Sequence, residues 1–398
     1  MIARLRPTLG ASEFLTALLP SSATDVERFE KRFAQMADQA HAIAFPYGRT
    51  GLLCLLEAMG LRDKEVIVPA WTCVVVPHAV VKSGNEPVFV DSSPHDYNMN
   101  LSLAEKEVTD KTGAMVATSI FGHPVNLDEL DRFRYNYPSV PVIQDCAHSF
   151  LCTWNDHPVH KEGIAAIYGL NISKLMTSIF GGMITTDNDA LAEKLRRIRS
   201  RVIQPAPWIK NWHRRAYLVA STLSLTPPVY GAVNALERWG GLNRFVKYYD
   251  ESVIELPADW NIAMSPVEAR VGTVQCDRYA SIITHRRRSA ALYRELLKDF
   301  PGILLPPHNE GATYSHFTIL VENRPALLEQ ALAKGIQLGW LIEYSIPEMK
   351  AYRHRPGYRP APVANELAGK SVNLPLWCDE ATTDSIANML YSFITIAK

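Results

Sequence analysis

Strand and helix segments that alternate through the first half of the chain predict an α/β fold. The expected architecture is a large domain with a mixed, mostly parallel sheet, followed by a smaller α+β domain. Short β-branched runs such as EVIVP (65–69), PVFVD (87–91) and PVIQD (141–145) recur at strand length. Between them stand segments with an apolar residue every three or four positions, the period of a helix. The chain has 398 residues, long enough for two domains at about 150 residues each.

The elements follow in order. Thr24 to Ala37 reads as an amphipathic helix with Phe29, Phe33 and Met36 in its apolar stripe and Thr24 with Glu27 as a capping box. HAIAF (41–45) is a strand that runs into Tyr47-Gly48-Arg49-Thr50-Gly51. The next helix sets Leu52, Leu55, Leu56 and Met59 on one face and stops at Gly60. After the strand at 65–69 a helix starts near Val74. Strands are expected at 87–91, 113–122, 141–145, 164–170 and 181–186. A helix at 189–200 pairs Glu193 with Arg197 across one turn.

The stretch 201–256 breaks this rhythm with Pro205, Pro207, Pro227, Pro228, three tryptophans and the apolar run AYLVASTLSL (216–225). Ten apolar residues are too few to span a bilayer. Lys210, Arg214 and Arg215 precede the run, as in an interfacial anchor, so peripheral membrane contact through 205–245 is one expectation. Packing of the insertion on a dimer partner is the other. From Pro257 the pattern restarts with a helix-rich stretch 266–300, an alternating strand at 316–322, a helix at 325–334 and a last helix near 380–396. The expected domains are 1–256 and 257–398.

Composition narrows the class. Lys plus Arg number 41 and Asp plus Glu 41, so no basic field invites nucleic acid. The six cysteines form no CxxC pair, which argues against a zinc site and for free thiols in the cytoplasm. The N-terminus lacks the long apolar core of a signal peptide. No GxGxxG or Walker motif occurs, so neither a Rossmann dehydrogenase nor a P-loop NTPase is supported.

Three features carry chemistry. Asp145 ends an apolar strand and is followed by Cys146-Ala147-His148, on the rim where open α/β sheets bind ligands. It could hold a heterocycle by its ring nitrogen, or simply cap a helix. Lys174 follows the strand 164–170 and precedes the Gly181-Gly182 pair. An amine desolvated at a strand end is nucleophilic, and the glycines let backbone pass close to a ligand. Gly48-Arg49-Thr50-Gly51 opens a helix, where free N–H groups, a hydroxyl and a guanidinium suit a phosphate, although an ordinary glycine turn fits the same residues. Amine, carboxylate and phosphate cradle together match what pyridoxal 5'-phosphate requires.

The chain resembles the DegT/DnrJ/EryC1/StrS aminotransferases, fold-type I pyridoxal phosphate enzymes that mostly aminate nucleotide-linked keto-sugars. The resemblance rests on YGRTGL (47–52), GLRDKEVIVPAWT (60–72), GNEPVFVD (84–91), YNMNL (97–101), FGHPVNLDEL (121–130), PVIQDCAHS (141–149), NISK (171–174) with GGMITTDN (181–188), WNIAMSPVEA (260–269) and SVNLPL (371–376). It implies that Lys174 is the Schiff-base lysine, Asp145 the partner of the pyridine nitrogen, and His148 a neighbour of the ring hydroxyl. Arg49, Thr50 and Ser173 would lie at the cofactor, and Trp71 or Cys73 against its ring. Asn261 would reach the cofactor of a neighbouring subunit, making a homodimer with shared active sites. Tyr344 falls in the substrate-side segment.

This chain departs from the family pattern at Cys73, Gly169 and Ala263, where an aromatic residue, a serine and an arginine are usual. Retention of the lysine disfavours the dehydratase branch, which replaces it with histidine. The function implied is transfer of an amino group, with glutamate as the expected donor, to a keto-sugar in surface-polysaccharide or secondary-metabolite biosynthesis. A cyclitol aminotransferase and a non-catalytic cofactor-binding sensor or assembly protein are the alternatives.

Overall fold

The computed structural model describes residues 1–22, 24–239 and 249–396. Its strands in chain order are β1 (His41–Phe45), β2 (Glu65–Pro69), β3 (Glu86–Val90), β4 (Thr112–Thr118), β5 (Val142–Asp145), β6 (Thr153–Trp154), β7 (His157–Pro158), β8 (Ala165–Gly169) and β9 (Gly182–Thr186). Seven of them form one sheet in the order β1-β9-β8-β5-β4-β2-β3. From β8 through β5, β4 and β2 to β3 every pairing is parallel, while β9 runs antiparallel to both β8 and β1. The mixed, mostly parallel sheet expected from the sequence is therefore present, with the antiparallel strand contributed by GMITT.

Helices α1 (Ala11–Leu18), α2 (Asp25–Ala37), α3 (Gly48–Ala58), α4 (Val75–Lys82), α5 (Leu101–Lys106), α6 (Leu127–Asn136) and α7 (Asp189–Val202) are joined by α8 (Trp208–Ser224) and α9 (Pro227–Arg238). A single long helix then runs over Pro266–Leu297, started by a complete capping box between Ser265 and Glu268. One face of the sheet is covered by α3, whose Leu52, Leu55 and Leu56 are fully buried with Ile184 and Val68. On the other face, Phe29 and Phe33 of α2 are sealed under the long helix. The Phe33 ring meets Tyr168 of β8 edge-on at 5.0 Å. Gly272 is what lets the long helix approach, because any side chain there would strike the Phe29 ring.

The far end of the long helix, through Tyr293 and Leu297, belongs to a second core built on the sheet β10 (Ile303–Leu304), β11 (Phe317–Val321) and β12 (Ser371–Leu374). The helix thus spans both cores. Residues 342–368 contribute Ile342, Ile346, Tyr352 and Leu367 to the core of the large sheet. The chain after 257 therefore supplies side chains to both.

Two local expectations change. Thr24 makes no capping bond to α2; instead Asp25 accepts from Ser22 N–H at 2.7 Å, and Asp25 is itself buried beside Arg270 at 2.9 Å. The strand expected at 113–122 ends at Thr118, because Phe121 turns the chain with a positive φ of 53°. The apolar run 216–225, given no element by the sequence, forms the second half of α8 and its C-cap. No helix among the described residues is long and apolar enough to cross a membrane.

Candidate active site

Asp145 and Lys174 share a rim because β5 and β8 are adjacent, with Asp145 opposite Ile167. After Asp145 the chain turns rather than entering a helix. Ala147 N–H donates to its Oδ1 at 3.0 Å, and the Thr118 hydroxyl on β4 donates to Oδ2 at 3.3 Å. The helix-cap alternative is therefore displaced by a turn that holds the carboxylate. Burial raises the Asp145 pKa, opposed by the Ala147 N–H, the Lys174 charge and Thr118.

Lys174 sits in the loop after β8. Its N–H donates to the Asn171 carbonyl at 3.0 Å, and Asn171 Oδ1 accepts from both the N–H and the hydroxyl of Ser173 at 3.0 and 2.7 Å. Asn171 therefore ties the loop that presents the lysine. Burial lowers the Lys174 pKa, while Cys73 and Asp145 pull it back up. Gly169 lies directly beneath: a Cβ there would stand 3.3 Å from Lys174 Cε. A serine at 169 would require the Lys174 side chain to give by a few tenths of an ångström.

At the start of α3 the helical ladder begins with Gly51 N–H on the Tyr47 carbonyl at 3.0 Å. The N–H groups of Gly48, Arg49 and Thr50 accordingly have no partner within the helix, the arrangement that binds anions. Gly181 borders the cavity. Gly182 has a different role from the one its sequence suggests: a side chain on it would collide with the Gly48 backbone, so it lets β9 pack against the start of α3.

These groups converge on one cavity of about 550 Å³ bordered by Arg49, Cys73, Asp145, His148, Ser173 and Lys174. His148 is stacked on Phe121 with ring centroids 5.8 Å apart and planes 18° apart. Its Nδ1 faces the Phe121 N–H at 3.5 Å. Burial, with Lys174 and His316 adding, holds its pKa well below the ordinary histidine value.

Four residues named from the sequence do not border this chain's cavity, although Asn261 is expected at a neighbouring subunit's cofactor rather than at this one. Trp71 is packed in the core, its indole donating to the Ile342 carbonyl at 3.1 Å and its ring against Tyr97 and Phe121, so it does not border the cavity. The Thr50 hydroxyl is taken by the Trp260 carbonyl at 2.8 Å, leaving only its N–H for an anion. Asn261 lies outside this chain's cavity, its carbonyl accepting from Gln204. Tyr344 stands one layer back: its hydroxyl accepts from Val74 N–H at 3.1 Å, and its ring packs on Tyr249 at 4.8 Å.

Sequence reasoning passed over Tyr47, His78, Tyr217 and Tyr249, all of which border the cavity. Tyr47 directly precedes Gly48 and was legible from that position. The other three come from a helix face and from the stretch that interrupts the alternation, where no local pattern marks them. His78 Nδ1 lies 3.2 Å from the Glu255 carbonyl, and burial with the Arg49 charge pushes its pKa down to about 4.

Burial likewise pushes His123 and His316 down to about 3. Both ring nitrogens of His123 lack a hydrogen-bond partner among the described residues. Folded, these rings stay neutral where unfolded histidine protonates, near pH 6.5. The unfolded chain then binds more protons, so stability rises with pH between about 3 and 6.5, by up to ~1.4 kcal/mol per pH unit for each ring. Urea midpoints are expected to fall steeply from pH 6.5 to pH 5. A midpoint that stays flat over that range contradicts the buried-neutral assignment.

The sequence model of the DegT/DnrJ/EryC1/StrS aminotransferase family matches residues 16–391. The GDP-perosamine synthase of Escherichia coli O157:H7 is 23% identical over 361 residues, covering 90% of this chain and 86% of that one. The crystal structure of DesI with its TDP-sugar product superimposes with a TM-score of 0.76 at 23% identity, covering 98% of this chain and 92% of that one. The E. coli GDP-4-keto-6-deoxy-D-mannose-3-dehydratase with bound hydrated PLP gives a TM-score of 0.76 at 15% identity, covering 98% and 99%.

Proposed function

The chain belongs to the DegT/DnrJ/EryC1/StrS aminotransferase family, and from that premise we propose that it binds pyridoxal 5'-phosphate and moves an amino group from glutamate to a nucleotide-linked keto-sugar. The observation that carries the reading is the convergence of a buried carboxylate, a desolvated amine and an anion-binding helix start on one cavity. Those donors fit the cofactor in kind: a carboxylate for a protonated ring nitrogen, an amine for an aldehyde, and N–H groups at a helix start for a phosphate.

When bound, the cofactor supplies the aldehyde and the electron sink that make the amino acid's α-proton acidic. The protein's part is positioning and proton handling. Asp145, tied by Ala147 and Thr118, keeps a proton on the pyridine nitrogen. Lys174 Nζ takes the α-proton of the donor and returns a proton to the acceptor's carbon, its lowered pKa bringing the amine toward the range useful at neutral pH. The first N–H groups of α3, which have no partner within the helix, and the Arg49 side chain orient the phosphate end. His148, stacked on Phe121, closes the inner wall and keeps water from it.

Asn261 is directed to the site of a second copy in this reading, which makes the protein a homodimer whose two sites each borrow a residue. Support comes from its position outside its own cavity and from the family's pattern. Purified protein loaded with the cofactor is expected to lose its yellow absorption on addition of glutamate and regain it with a keto-sugar nucleotide. If glutamate bleaches the absorption but no keto-sugar nucleotide restores it, the acceptor assignment is wrong. A protein that never takes up the cofactor overturns the whole reading.

A further inference from the structure

Twelve of the sixteen large apolar side chains exposed among the described residues lie on α8, α9 and the end of α1 or directly beside them. Trp208 is 74% exposed, Trp239 90%, Leu18 74% and Leu223 57%. Side chains of this kind are expected to be covered by something. The three segments adjoin: Arg215 of α8 donates to the carbonyls of Ala17 and Leu19 at the end of α1 at 2.7 and 3.2 Å, and α9 packs against α8.

Charge identifies what covers it. The only carboxylate in α8 and α9 is Glu237, and Arg4 already pairs with it at 3.2 Å. Lys210 and Arg214 turn inward onto Glu268, at 3.4 and 2.7 Å. Arg215 and the exposed Arg238 have no carboxylate partner among the described residues. A two-fold contact between copies must be self-complementary, and the exposed Arg238 meets no free anion on this face, since Glu237 is taken by Arg4. Tryptophan and leucine beside the exposed Arg238 are instead the composition of a helix lying in an anionic lipid interface.

We infer that α8, α9 and the end of α1 seat the protein on an anionic bilayer surface. The contact is peripheral, since no helix among the described residues can cross the membrane. It also has a bearing on the cavity. Tyr217 of α8 borders it and packs on Phe180 at 4.9 Å, so the apolar surface continues from the lipid-facing helix into the pocket mouth.

The test is sedimentation of the full-length protein with vesicles of phosphatidylcholine alone or mixed with phosphatidylglycerol, beside its mass by sedimentation velocity without lipid. The expected result is binding to the mixed vesicles, weakened by salt, and little to phosphatidylcholine. Trp208→Ser/Trp239→Ser should lose most of that binding with its mass unchanged. Arg238→Glu, a two-charge change at one exposed position, should weaken binding about thirtyfold. Binding that is absent, or indifferent to lipid charge and to both variants, overturns the inference. So does a variant whose mass halves, because the face would then be a contact between copies. Cofactor uptake and bleaching by glutamate are read on the same samples, so a failure here is separable from a failure of the aminotransferase reading.

Discussion

Lys174→Ala is expected to lower kcat by about 10⁴-fold, the upper end for a group that moves protons in the reaction. The protein should remain folded. The lysine's pKa is lowered by burial, so removing the amine relieves a desolvated charge rather than breaking a structural pair. The thermal midpoint should therefore hold or rise. The variant should still take up pyridoxal 5'-phosphate, since α3's N–H groups and Asp145 are untouched. A small exogenous amine such as ethylamine should restore part of the rate by occupying the space the side chain leaves. A variant that keeps its rate, or fails to bind the cofactor at all, contradicts the assignment.

Asp145→Asn is expected to divide activity from stability. The amide still accepts from Ala147 N–H, but it cannot hold a proton on the pyridine nitrogen, and kcat should drop about 10³-fold, as when one preorganised electrostatic group is lost. Stability should move the other way. The folded-state pKa of Asp145 is raised by burial, so the folded protein holds that proton more tightly than the unfolded chain does. The stability this group contributes is present at low pH and lost as pH rises through the raised value. An asparagine escapes that loss, so near neutral pH the variant should be as stable as the parent or more so. Its stability should also depend less on pH in the acid range. Equal losses of activity and stability would mean that Asp145 is a structural residue.

Much of this was legible along the chain. The strand ends carrying Asp145 and Lys174 follow from apolar runs with abrupt polar stops, and GRTG follows from glycine at a strand-to-helix junction. These signals are local. Trp71 was misplaced for the same reason: its position in the chain is close to the site, but the direction of its side chain is set by Phe121, Tyr97 and Ile342, which are distant in sequence. Thr50 resembles an anion ligand until Trp260 is brought to it.

The sequence by itself determined the order and type of the main elements, the α/β class and the family, because periodicity and short motifs are properties of consecutive residues. Only the tertiary structure decided which groups share the cavity, how far burial moves their pKa values, and which face is left uncovered. Desolvation depends on everything packed around a group, and the residues that bury Asp145, Lys174 and His148 come from separate strands and helices. Exposure of Trp208 and Trp239 is equally non-local, since an apolar helix face is indistinguishable in sequence from one that a neighbouring element covers.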